Sequence, residues 1–212
     1  MTVKEYMNKL VNGKRVAFVG LAPCISGMGL GKEIDKFDIV IRTNEHPLPN
    51  EYIADYGRKC DILVLHIKYT NEKYDVKNIM HYRTVKEKSP HINYCLITWD
   101  ERMQVVNEVK RTINKNPIKG TQGTNMMHFC LEAGAKEFKM YGITGYQNKK
   151  GELIDSGSYI NIKRRVKVKG KRVSRGITKS KDHNHEVLND YTRYMLKTGA
   201  ITMDKYSIKY FI

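Results

Sequence analysis

Apolar residues fall along this chain in two rhythms. Residues 3–10 mix apolar and charged positions at the helical period, and Gly13 closes that stretch, which predicts an amphipathic N-terminal helix. Val16-Ala17-Phe18-Val19 is then a continuous apolar run of strand length. It leads into Gly20, a small-residue loop to Gly31, and Lys32-Glu33-Ile34-Asp35 as a short helix. A second run, Ile39-Val40-Ile41, ends in Arg42-Thr43-Asn44. His46-Pro47-Leu48-Pro49 reads as a loop, because proline disfavours helix in the residue before it. A short helix is predicted over 51–56 and a third, buried strand at Ile62-Leu63-Val64-Leu65.

Residues 69–90 are polar and poorly periodic and read as a helix with loops. Tyr94-Cys95-Leu96-Ile97-Thr98 is the fourth predicted strand. Met103, Val106, Val109 and Ile113 recur at helical spacing over 101–113. Another helix is expected over 124–133, with Gly134 as its stop, and a strand over 137–142. Val187, Tyr191, Tyr194 and Met195 give one apolar face of a last helix, which ends near Gly199. Residues 203–212 would close the chain as an edge strand.

Strands alternating with helices predict an α/β fold, a Rossmann-like central and mostly parallel sheet flanked by helices. The Gly20 loop then lies at the carboxyl end of the first strand, where open α/β sheets hold ligands. Glycines there let backbone approach a phosphate. The spacing is not that of a dinucleotide fingerprint: Gly27, Gly29 and Gly31 alternate, and no Gly-Lys-Ser/Thr follows. Glycine pattern alone fits a structural turn as well as a nucleotide cradle.

With 212 residues the chain has the length of one domain, and 41% hydrophobic residues suffice for one core. The formal net charge of +16 favours anionic partners, namely nucleic acid, a membrane surface or a phosphate-bearing substrate, although lysine richness alone also produces it. Residues 163–181 hold ten basic side chains and no acid. Val166, Val168 and Val173 flank Gly170-Lys171 there, a pattern that fits a basic hairpin, a lid over a site or a solvated face. No stretch approaches the roughly 20 apolar residues of a membrane span, and residues 1–12 are too polar for a signal peptide. Cys24, Cys60, Cys95 and Cys130 form no Cys-x-x-Cys pair, and no glycosylation sequon occurs, so a zinc site is not expected and a cytoplasmic setting is.

The glycine-loop stretch resembles the large sialylmotif of eukaryotic-type sialyltransferases, glycosyltransferase family 29. The correspondence runs through Val19-Gly20, residues 30–35 (Leu-Gly-Lys-Glu-Ile-Asp), residues 38–44 ending Val40-Ile41-Arg42-Thr43-Asn44, and Asp55-Tyr56-Gly57-Arg58-Lys59. Thr121 and Gly123, an apolar helix and Met140-Tyr141-Gly142 are similar to the small sialylmotif, with Gly120 where that family has proline. His185 with Asp190 five positions on has the spacing of the last motif, and residues 159–162 fall where the aromatic motif belongs. Two departures stand out. Leu21 replaces an asparagine common in the family, and the large-motif cysteine position, which usually carries a disulfide to the small motif, is Val16.

The resemblance implies a single catalytic domain over 1–212, of a GT-A-like variant, to which the residue pattern adds the basic hairpin or lid at 163–181. It implies inverting, metal-independent transfer of sialic acid or a related sugar acid from a CMP-activated donor to a glycan hydroxyl, with no cofactor. His185 would be the general base, since neutral imidazole suits proton removal near neutral pH, and Asp190 would orient the site. Gly20, Cys24, Asn44, Thr121, Gly123, Thr124, Tyr159 and His183 would hold CMP; no metal ligand set is expected. By residue type alone, His185 fits a helix cap or a surface histidine, Asn44 a turn and Tyr159 a core position. Two other functions fit the chain: nucleic-acid binding through 163–181, and a non-catalytic nucleotide-binding relative. Small size and lysine richness fit a viral or microbial protein.

Overall fold

A computed structural model describes residues 1–44, 48–65, 76–82, 89–147, 166–168, 171–173 and 184–212. Seven strands form one parallel sheet: β1 (Arg15–Val19), β2 (Ile39–Thr43), β3 (Ile62–Leu65), β4 (Asn78–His81), β5 (Asn93–Leu96), β6 (Glu137–Tyr141) and the short β9 (Thr202–Met203). Their order is β5-β4-β3-β2-β1-β6-β9. The remaining strands, β7 (Val166–Val168) and β8 (Lys171–Val173), pair antiparallel inside the basic segment, Val166 opposite Val173. The rest of 163–181 lies outside the described residues.

Both faces of the sheet are covered, which is why β1, β2 and β3 read as largely unbroken apolar runs. Val16, Phe18, Ile41, Ile62 and Val64 face a core shared with α1 (Val3–Val11), α4 (Trp99–Ile113), α5 (Gln122–Glu132) and α6 (His185–Lys197). Ala17, Val19 and Val40 face Ile25, Ile34, Phe37 and Tyr56, so α2 (Gly31–Ile34) and α3 (Asn50–Tyr56) cover the opposite side. A capping box starts α1: the Thr2 hydroxyl accepts from Glu5 N–H, and the Glu5 carboxylate accepts from Thr2 N–H. Among the described residues no helix is long and apolar enough to cross a membrane.

Four expectations change. Residues 69–90 contain strand β4, not only helix and loop; Ile79 and Met80 are fully buried between β3 and β5. Thr98 is not strand but the N-cap of α4, where its hydroxyl accepts from Glu101 N–H. Helix α5 begins at Gln122 rather than 124, with Thr121 as its cap. The closing segment is a two-residue strand followed by a 3-10 turn, Ile208–Tyr210.

From β1 the chain lays down β2, β3, β4 and β5 on one side, then returns to place β6 on the other side of β1. The order therefore reverses beside β1, and the crevice outside the carboxyl ends there is where such sheets bind ligands. Helices α5 and α6 precede β6 and β9, so each runs back along the sheet and starts at that same carboxyl rim.

Candidate active site

Two turns cross at the switch point. Gly20 N–H donates to Tyr141 O at 2.8 Å and Ala22 N–H to Gly142 O at 3.0 Å. A Cβ on Gly20 would stand 2.6 Å from Gly142 O and 2.3 Å from Ile143 Cδ1, so only glycine permits this approach.

The loop beyond Gly20 is shaped from outside. Asp55 accepts from Gly27 N–H at 2.7 Å and from Gly29 N–H at 2.8 Å. Asp35 accepts from the backbone of Arg58 and Lys59. Arg42 is 2% exposed and donates to Lys59 O and Tyr56 O, each at 2.8 Å. Burial holds its guanidinium below the usual arginine range. Lys59 Nζ donates to Phe37 O and Asp38 O. The charged residues of the large motif are thus bonded to backbone and hold the loop.

Asn44 follows β2 with a positive φ of 60° and donates its N–H to Val64 O at 2.9 Å. Its side-chain amide pairs reciprocally with Gln122 in the first turn of α5: Asn44 Nδ2 donates to Gln122 Oε1 at 3.0 Å, and Gln122 Nε2 to Asn44 Oδ1 at 3.3 Å. Thr121 accepts from Thr124 N–H at 3.2 Å, and the two hydroxyls lie 2.9 Å apart. Thr124 is buried, and a Cβ on Gly123 would lie 3.4 Å from Phe18 Cε1, so Gly123 seats the helix on the sheet. Asn125, one residue on, donates to the Tyr82 hydroxyl at 3.0 Å.

Cys24 Sγ lies 3.6 Å from Ser207 Oγ. Burial pushes its thiol up to about 11, which leaves it protonated at neutral pH and no nucleophile. All four cysteines are free thiols.

His185 is the first residue of α6 and only 6% exposed, which removes the surface reading. Its ring centroid lies 4.4 Å from that of Tyr146, the planes at 45°. Tyr146 has a φ of 59° in the turn that follows β6. That turn meets Gly20 at Gly142 and His185 at Tyr146, so it joins the glycine loop to the buried imidazole. Asn189 donates to Gly145 O at 3.0 Å and fastens α6 to the same turn. Both oxygens of Asp190 are taken by cations: Oδ2 accepts from Lys115 at 2.6 Å and Oδ1 from Arg193 at 3.0 Å. Arg193 also donates to Gln147 Oε1 and Phe211 O. Asp190 therefore belongs to the mount of the helix that carries His185.

Of the expected residues, Gly20, Asn44, Thr121 and His185 come to one rim, with Cys24 behind it and Gly123 and Thr124 inside α5. Tyr159 and His183 lie outside the described residues. Gln122, Tyr146, Asn189 and Arg193 are additional; the Gly145-Tyr146 step after a strand end was the only local hint of them. Among the described residues no three His, Cys, Asp or Glu side chains gather as a metal site.

A parallel sheet whose order reverses between two crossing turns belongs to the Rossmann-like α/β class. The family model for glycosyltransferase family 29 (sialyltransferase) matches residues 4–138, and the chain belongs to that family as a sialyltransferase-like glycosyltransferase. The match takes in Gly20, Asn44 and Thr121 and ends before His185. Among solved structures, a mammalian sialyltransferase in complex with Gal-beta-1-3GalNAc-ortho-nitrophenol is similar at a TM-score of 0.60 and 16% identity, over 93% of this chain and 71% of that one. Another crystal structure of a mammalian sialyltransferase is similar at 0.60 and 16%, over 96% and 78%. At that identity the likeness speaks for the fold. A comparison with curated proteins finds no match.

Proposed function

We propose that this chain moves sialic acid, or a related sugar acid, from a CMP-activated donor to a hydroxyl of a glycan acceptor, by single displacement with inversion. The acceptor oxygen bonds to the anomeric carbon as the bond from that carbon to the CMP phosphate breaks. CMP leaves with the electron pair, and the acceptor's proton passes to the imidazole of His185. The transition state is oxocarbenium-like, and its developing phosphate charge is met by backbone N–H groups and basic side chains rather than by a metal. Asn44 and Gln122 offer amides that both donate and accept, which suits a cytidine or ribose edge. Asp190 acts through the seating of α6.

The observation that supports this reading most is the single turn that touches Gly20 at one end and packs Tyr146 against His185 at the other. A base near a phosphate cradle is what glycosyl transfer requires. The test is a melting-temperature screen with CMP, UMP, GMP and AMP, followed by CMP release from CMP-sialic acid with lactose present. CMP at hundredfold excess over its Kd stabilises by about 2.7 kcal/mol. Equal response to all four nucleotides, with no CMP released, would overturn the proposal.

A further inference from the structure

β9 runs parallel to β6, Met203 opposite Met140, so the chain leaves both strands at the same carboxyl rim. After β6 it makes the turn of residues 142–147, which meets Gly20 and His185. After β9 it makes Asp204-Lys205-Tyr206-Ser207, and the two stretches are hydrogen-bonded to each other. The family match ends at residue 138, so neither stretch is part of it.

An aspartate bonds readily to the backbone just after it and so closes a turn. Asp204 Oδ1 accepts from Tyr206 N–H at 2.8 Å and from Ser207 N–H at 2.9 Å. Its Oδ2 reaches across to the other stretch, where it accepts from Gly142 N–H at 3.2 Å, and it also accepts from the Ser207 hydroxyl. Both side chains are buried, where a carboxylate is tolerated only when donors fill its oxygens. The Ser207 hydroxyl is used to its limit. Its hydrogen goes to Asp204, which leaves two lone pairs. One accepts from Ile143 N–H at 3.1 Å, in the turn that carries Tyr146. The other faces Cys24 Sγ at 3.6 Å, in the loop that follows Gly20. A single buried oxygen thus touches both turns that cross at the switch point. Further on, the same segment is fastened again: Gln147 Nε2 donates to Tyr210 O, and Arg193 Nε donates to Phe211 O at 3.1 Å. The turn needs such support. Gly142, Gly145 and Tyr146 have φ of 62°, 62° and 59°, and a tyrosine keeps left-handed backbone only where its surroundings dictate it.

We propose that Asp204 and Ser207 are positioning residues for the transfer: they clasp the glycine loop to the turn of residues 142–147 and so fix where the donor stands relative to the imidazole of His185. This deepens the transferase reading and rests on it. Turnover depends steeply on the alignment of reacting groups, and an error of about 1 Å costs on the order of 10²-fold in rate. Affinity for donor or acceptor alone depends on that alignment far less.

Two small substitutions in the full chain separate alignment from folding. Asp204→Asn keeps a carbonyl for the N–H groups of Tyr206 and Ser207 and loses the acceptor that faces Gly142 and the Ser207 hydroxyl. Ser207→Ala removes the shared oxygen. Each is expected to lower kcat for transfer from CMP-sialic acid to lactose about tenfold, measured well below the melting temperature, with both KM values changed less than about threefold and the CMP-induced melting shift kept. Because the two residues act as one unit, the double variant should fall no further than the worse single variant. An unchanged kcat in both single variants, or losses that multiply in the double variant, overturns the clasp. A raised KM at constant kcat also overturns it, because the residues would then serve substrate affinity. Should a variant not fold, hydrogen exchange of the wild type decides. CMP should slow exchange over 204–211 as well as over 20–31, and exchange over 204–211 unmoved by CMP overturns the clasp. A wild type that releases no CMP takes down the transferase reading and the clasp with it, a result distinct from an active enzyme indifferent to both substitutions.

Discussion

The large-motif region and the rim use the same kinds of residue to opposite ends. In the first, Asp35, Arg42, Asp55 and Lys59 direct their charges to backbone groups of their own neighbourhood, all within residues 27–59. On the rim the contacts are long-range. Asn44 meets Gln122, Tyr146 meets His185, and Asp190 meets Lys115. The first region makes a loop of fixed shape; the second assembles a surface that exists only once the sheet is complete. A sequence match to the large motif is therefore evidence about scaffold, while chemistry rests on the rim.

Mutations that separate stability from turnover test this contrast. The largest effect is expected for His185→Ala. CMP release should fall by about 10²–10⁴-fold, the range of a lost general base, with the CMP-induced melting shift retained. A variant that releases CMP at the wild-type rate would remove His185 from the chemistry.

Arg42→Met should act the other way. It leaves one buried and one part-buried carbonyl without their donor and should cost about 3 kcal/mol in urea unfolding, with activity per folded molecule preserved. Loss of activity without loss of stability would place Arg42 in the site instead.

The Asn44–Gln122 pair lies between these extremes. Single alanine variants and the double variant should show a coupling of about 1 kcal/mol in CMP affinity. Strict additivity would mean that the two amides do not act together on the ligand.

The smallest effect concerns Glu33, which joins the scaffold to the sheet. Its hydrogen bond from Lys139, followed by that from Tyr141, lowers its pKa below the ordinary 4.5. That stabilisation is complete above 4.5 and is lost as pH falls through the lower folded value. Melting temperature should thus drop more steeply below pH 4.5 in the wild type than in Glu33→Gln, a difference under about 1 kcal/mol for so exposed a pair.

What the sequence revealed follows the same division. β1, β2 and β3 were legible because strands buried on both faces leave continuous apolar runs. β4 was not, since Asn78 and His81 bracket only two apolar residues and its identity comes from its neighbours on both sides. The start of α5 was obscured because Thr121 and Gly123 resembled a motif loop, whereas a Thr-x-x-Thr cap was present at the same positions. Asn44 could be singled out by its place after a strand, but Gln122 could not: 78 residues separate them, and only the crossover brings them together. Tyr146 carries no local signature beyond following a glycine.

The return of the chain to lay β6 beside β1 has a consequence for how the protein is made. As the polypeptide leaves the ribosome, the half from β1 to β5 can pair stepwise, each strand finding a partner just synthesised. The partner for β1's other edge, Arg15 opposite Glu137, arrives more than a hundred residues later. Until then that edge is a bare row of backbone donors and acceptors, the part of the nascent chain most in need of shielding from other chains.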